Sequence, residues 1–161
     1  MWVRTASKRD IGTISALLGR VWHDTYDSIY GPEKVNEITR QWHSMPALEH
    51  NLNLPSSEFL VADDGNNIAG TAFASQIDAN TAKLHQLYIL PEFQGKGVGK
   101  LLLDEIEESF FEAQNLVLEV EAQNGPAIGF YKYHGFKQTG TTDNCGADGS
   151  GIAALVFTKT R

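Results

Sequence analysis

The segment Leu87-Tyr88-Ile89-Leu90-Pro91-Glu92-Phe93-Gln94-Gly95-Lys96-Gly97-Val98-Gly99-Lys100-Leu101-Leu102 carries the densest chemical signal in the chain. An apolar strand ends at Pro91, glycines follow at positions 95, 97 and 99, and a helical pattern begins. Glycines let backbone N–H groups approach a ligand closely, and a helix N-terminus adds roughly half a positive charge. Together they describe a cradle for a phosphate-like anion. Spacing excludes two nucleotide loops. A P-loop needs Ser or Thr after Gly-Lys and an earlier glycine where this chain has Gln94, but Leu101 follows Gly99-Lys100. The dinucleotide fingerprint needs a third glycine at positions held by Lys100 or Leu102.

What does match is Gln94-x-x-Gly97-x-Gly99 between a strand ending in proline and an amphipathic helix. It closely resembles the GNAT family, the Gcn5-related N-acetyltransferases. A second segment agrees in order and spacing: the strand around 118–120, then Asn124, Ala127, Tyr131 and Gly135-Phe136. The two motifs cover the C-terminal half of the chain. The N-terminal half agrees through element order and through Trp22-His23-Asp24-Thr25-Tyr26, similar to a Trp-x-x-Thr-Tyr segment of many bacterial members. The resemblance implies acetyl-CoA as cofactor. It casts Gln94, Gly95, Lys96, Gly97, Val98, Gly99 and Lys100 as the pyrophosphate cradle, with Leu87, Tyr88, Ile89, Asn124, Ala127 and Tyr131 as further cofactor contacts.

Moving an acetyl group from a thioester to an amine requires a neutral nucleophile, stabilisation of an oxyanion and a proton for the departing thiolate. When both substrates are held in attack geometry, proximity supplies much of the rate and no covalent intermediate is needed. The resemblance implies direct attack, with a backbone amide of Leu87, Tyr88 or Ile89 polarising the thioester carbonyl. It also implies Tyr131 as the acid; a phenol stays protonated at neutral pH and can donate to a thiolate. The family's strand glutamate falls on Lys83, so that base is not carried over. His85, two residues on and on the same strand face, is the candidate base, since imidazole accepts a proton near neutrality. Glu119 and Glu121, acting through water, are the alternatives. Trp22, Tyr26 and Tyr30 are expected to wall the acceptor pocket from a loop, or else to pack in the core.

These residues need elements to hold them. A strand over 2–6 leads through Ser7 and Asp10, a capping-box spacing, into a helix whose Ile11, Ile14, Leu17, Leu18, Val21 and Trp22 recur at helical intervals. Periodicity breaks over 22–32, and Pro32 opens a second helix through Trp42. Strands at 58–62 and 68–74 flank the turn Asp63-Asp64-Gly65-Asn66-Asn67, and a third runs over 83–90. A helix from Val98 to about 115, a strand over 116–120, a helix over 126–134 and strands at 136–141 and 152–159 complete the order. The last two strands enclose a Gly-rich hairpin turn, 143–151. The expected fold is α/β: a mixed, mostly antiparallel sheet with a parallel central pair and flanking helices, in one domain over 1–161.

The whole chain narrows the partners. With 161 residues, 42% hydrophobic, it has the size and composition of one globular domain. A formal charge of −7 disfavours nucleic acid and suits an amine, which comes from a small molecule or a protein. No apolar run reaches a membrane span, no basic leader precedes one, and the single Cys145 gives no disulfide or zinc pattern, so the expectation is a cytoplasmic protein without metal. The 143–151 loop fails the calcium pattern because Cys145 stands at an oxygen-ligand position. Monomer and homodimer stay open. The reading is an acetyl-CoA-dependent N-acetyltransferase, with an acyl-CoA-binding regulatory module as the alternative.

Overall fold

The computed structural model describes residues 1–146 and 149–161; Ala147 and Asp148, inside the Gly-rich turn expected between the last two strands, lie outside the described residues. Seven strands, β1 (Trp2–Thr5), β2 (Ser57–Asp63), β3 (Ile68–Asp78), β4 (Thr81–Ile89), β5 (Asn115–Glu121), β6 (Lys137–Thr142) and β7 (Ala154–Thr160), form one sheet in the order β1-β2-β3-β4-β5-β7-β6. β4 and β5 are the parallel pair, in register from Thr81↔Asn115 to Leu84↔Leu118. A parallel pair needs a crossover, here the helix α4 (Val98–Ser109). The ladders β1–β2, β5–β7 and β6–β7 are antiparallel. The fold is the mixed, mostly antiparallel α/β arrangement expected. The chain clusters into two units, 1–74 with 86–109, and 75–85 with 110–161, so the boundaries fall inside β3 and β4.

In the first unit, Ser7 N–H donates to Asp10 Oδ2 at 2.8 Å, closing the expected capping contact ahead of α1 (Ile11–Tyr30). Arg4 holds the same carboxylate, at 2.8 and 3.0 Å, and also Asp63. The guanidinium hydrogen bond, ahead of all other causes, keeps the Asp10 carboxyl well below the usual carboxylate range. The apolar stripe of α1 (Ile11, Ile14, Leu17, Leu18, Val21) packs with Phe59, Val61 and Phe73 of the sheet. The second unit buries Leu116, Leu118, Val120, Phe136 and Phe157.

Two expectations are corrected. Residues 22–30 are not a loop: α1 continues to Tyr30 and stops where Gly31 turns to φ +85°. A further helix, α3 (Met45–Leu52), follows α2 (Pro32–Trp42), capped by Ser44 accepting from Ala47 N–H at 3.3 Å. Pro46 sits in its first turn, where a missing N–H costs nothing.

Candidate active site

The cradle lies wholly in the first unit. After β4, residues 91–93 make a short 3-10 turn, with Phe93 N–H donating to Leu90 O and Gln94 N–H to Pro91 O. The Gln94 side chain reaches back and donates to Ile89 O at 3.0 Å, tying the loop to the strand end. Gly95 (φ +76°) and Gly97 (φ +82°) take the left-handed backbone, and a Cβ at either would meet nothing within 4 Å. Space of that kind above a positive-φ glycine lets a ligand approach main-chain amides. The first bond of α4 runs from Leu101 N–H to Gly97 O, which leaves the N–H groups of Val98, Gly99 and Lys100 without an intrahelical acceptor. Those amides and the helix dipole fit a phosphate group. Val98 and Leu102, both buried, anchor the helix start. Gly70 on β3 supports the strand end: a Cβ there would stand 2.9 Å from Tyr88 O and 2.5 Å from Ile89 Cδ1.

Also in the first unit, Trp22, Tyr26 and Tyr30 fall four apart on α1 and form one ridge, with ring centroids 4.5 Å and 6.1 Å apart. Trp22 further meets Trp42 (5.8 Å), His43 (5.6 Å) and Tyr88 (6.3 Å). His23 Nδ1 donates to Asp27 at 2.6 Å, and its Nε2 lies 2.8 Å from Asn36 Oδ1, which fastens α1 to α2. Among the described residues, the buried Trp22 Nε1, His43 Nδ1 and Gln86 Oε1 have no hydrogen-bond partner. Gln86 precedes Tyr88 by two residues on β4 and so leaves the same strand face. Burial holds the His43 imidazole neutral by lowering its pKa to about 4.

In the second unit, His85 is joined to Ser75 on the neighbouring strand, with Ser75 Oγ 2.7 Å from His85 Nε2. Lys83 and His85 share one face of β4, and Lys83 Nζ lies 3.4 Å from Glu119 Oε1 on β5. Glu119 also accepts from Gly146 N–H at 3.4 Å. His85 is exposed as a residue, and desolvation, then Lys83, lower its pKa to about 4 while Glu119 opposes. The imidazole is therefore neutral at neutral pH, and a weaker base than a free histidine. Tyr131, 8% exposed, lies on α5 (Gly125–Tyr133) with its ring against Phe130 (5.3 Å) and Phe136 (5.5 Å). Asn124 caps that helix by accepting from Ala127 N–H at 3.3 Å. Burial raises the Cys145 thiol to about 11, which leaves no thiolate for nucleophilic work.

Within each unit the structure brings Gln94 to Ile89, Trp22 to Tyr26 and Tyr88, Tyr26 to Tyr30, and Asn124 to Ala127, and it buries Trp22 and Tyr26, as the core alternative expects. The sequence reading missed Ser75, His43 and Gln86. Gln86 is a polar residue between apolar strand positions, which was the available signal, whereas Ser75 lies one residue past the 68–74 run.

Comparison with known proteins sets this geometry in a family. The sequence model of the acetyltransferase (GNAT) family matches residues 20–136. The chain is 31% identical over 141 residues to the spermidine N(1)-acetyltransferase of Thermoplasma acidophilum, covering 84% of this chain and 87% of that protein. Over 57 residues it is 42% identical to the peptidyl-lysine N-acetyltransferase YjaB of Salmonella typhimurium, covering 35% and 37%. The crystal structure of the PaiA N-acetyltransferase from Thermoplasma acidophilum in complex with coenzyme A matches at a TM-score of 0.85 and 29% identity, over 99% of this chain and 98% of that one. The chain belongs to the GNAT family of acetyltransferases. It is an acetyl-CoA-dependent N-acetyltransferase: acetyl-CoA is the donor and an amine the acceptor.

Proposed function

We propose that the 161 residues act as one N-acetyltransferase domain in the cytoplasm, passing the acetyl group directly to a small aliphatic amine of the polyamine type. The observation that carries the cofactor half is the pair of open, left-handed glycines set before the unbonded first turn of α4. In this reading Gln94 to Lys100 bind the pyrophosphate through main-chain amides, and Lys96 adds positive charge, Lys100 being paired with Asp104. Leu87, Tyr88 and Ile89 present the backbone amide that polarises the carbonyl, and Asn124 and Ala127 contact the pantetheine arm. Bound acetyl-CoA supplies an acetyl group activated as a thioester. His85 takes the proton from the attacking nitrogen, and Tyr131 donates one to the departing sulfur.

The acceptor half rests on the α1 ridge. In this reading the buried rings of Trp22 and Tyr26 and the half-buried ring of Tyr30, with Lys34 over it, form the wall on which the acceptor side is built, Asp24 and Asp27 lie on the same helical stretch, and the chain carries −7 overall. Trp22 Nε1 and His43 Nδ1, without a hydrogen-bond partner among the described residues, add polar atoms at those rings. The spermidine-specific name of the relative matched over 84% of this chain favours the same class. Initial rates with acetyl-CoA and a polyamine varied together test both halves. Direct attack predicts intersecting double-reciprocal lines and no acetylated protein by mass spectrometry; parallel lines with an acetyl-protein adduct would replace it by a two-step route.

A further inference from the structure

The reading of His85 as base leaves open what aims its ring, and the second unit holds a group in place to do so. Ser75, 6% exposed, stands on β3 with its Oγ 2.7 Å from His85 Nε2. We propose that Ser75 is a positioning residue for His85: its hydroxyl oxygen accepts the Nε2–H bond and assigns proton uptake to Nδ1. The inference rests on the base reading and adds to it a residue, a tautomer and a direction.

The direction follows from the state the base must reach. Once His85 has taken a proton, both ring nitrogens are donors, and a serine hydroxyl beside Nε2 can only accept. Sites preorganised for a reaction keep the same hydrogen bonds before and after charge develops, because turning dipoles during the reaction adds to the barrier. A resting Nε2–H···Oγ bond meets that condition. The opposite arrangement, with Ser75 donating to Nε2, would occupy the lone pair and require the hydroxyl to swing as the proton arrives.

The charges facing the ring make the support matter. Lys83 on the same strand disfavours the imidazolium, Glu119 on β5 favours it, and Glu119 is itself divided between Lys83 and Gly146 N–H. Against desolvation and Lys83, the Ser75 acceptor is a neutral stabiliser of the protonated ring. Its burial fixes the hydroxyl, and the β3–β4 pairing fixes the ring, so the imidazole does not have to search for an orientation.

The test uses the full chain labelled with 15N-histidine, read by long-range proton–nitrogen correlation from pH 4 to 8. The inference expects a pyrrole-type Nε2 and a pyridine-type Nδ1 for neutral His85. In Ser75→Ala, the tautomers should mix and kcat should drop about five- to tenfold at unchanged acetyl-CoA affinity. Ser75→Thr keeps the hydroxyl and should restore the Nε2–H form together with most of kcat. A pyrrole-type Nδ1 in the wild type, or a Ser75→Ala protein with the wild-type tautomer and rate, overturns the proposal. If the tautomer is as stated but His85→Gln turns over at the wild-type rate, the base reading fails, and with it the catalytic meaning of Ser75.

Discussion

Placing a methyl group on the cradle separates ligand binding from backbone strain, because the molecule contains its own control. Gly97 has φ +82° and Gly31 has φ +85°, and a Cβ at either meets nothing within 4 Å. Alanine at such a φ costs about 1–3 kcal/mol of strain at either position. For a chain of this size each kcal/mol lowers Tm by about 2–4 °C, so both variants should melt a few degrees early, and Gly31, at ψ 148° in a region essentially reserved for glycine, makes a stringent strain control. They should differ towards coenzyme A. At Gly97 the methyl group enters the space from which a pyrophosphate would reach the amides of Val98 and Gly99; at Gly31 it enters the turn between α1 and α2. A hydrogen bond to a charged group is worth about 1.5–3 kcal/mol, so losing one should weaken binding by about ten- to a hundredfold. Isothermal titration calorimetry with coenzyme A on Gly97→Ala, Gly31→Ala and wild type decides the matter. Equal affinity in the two folded variants would remove the glycine loop from the cofactor site.

Other consequences follow from single groups. Tyr131→Phe keeps the ring packing against Phe130 and Phe136 and should lower kcat while leaving coenzyme A affinity unchanged; equal turnover would retire the acid role. His43 is neutral when folded, with a pKa of about 4 against an ordinary 6.5, so the unfolded chain binds its proton first as pH falls. Its contribution is complete above pH 6.5 and is lost between about 6.5 and 4, amounting to about 3 kcal/mol. Urea melts at pH 7 and 4.5 should show a smaller acid loss in His43→Phe than in wild type, and equal losses would contradict this. Trp22→Phe deletes the buried indole N–H, which has no partner among the described residues, and should raise the KM of the amine several-fold with acetyl-CoA affinity unchanged, whereas a purely structural Trp22 would change only Tm.

The legible parts of this chain are those whose partners are near in sequence. The shape of the glycine loop could be read because Ile89, Gln94, Gly97 and the start of α4 at Val98 follow one another closely in sequence, and local backbone rules decide it. The end of α1 was misplaced although Trp22, Tyr26 and Tyr30 recur every four residues: polar His23, Asp24, Thr25 and Asp27 masked a ridge that packing makes helical. Ser44 ahead of Met45-Pro46 is a helix start, yet α3 has only one fully buried residue, Leu48, and so little periodicity to extend the signal. The Ser75–His85 and Lys83–Glu119 pairs depend on strand register, and the second also on a crossover through α4. No local rule sets such pairings, so His85, Lys83 and Glu119 could each be named while the Ser75–His85 and Lys83–Glu119 contacts could not.

The most direct measurement is mass spectrometry of the products formed from acetyl-CoA labelled in the acetyl group, with spermidine, an amino-terminal peptide and a lysine peptide as acceptors. The structure predicts label in an amide on the amine, coenzyme A released in equal amount and acceptor-dependent turnover that falls in Tyr131→Phe and in His85→Gln. Coenzyme A that binds tightly while no acceptor gains label, or label that leaves only as free acetate, would contradict amine acetylation at this site.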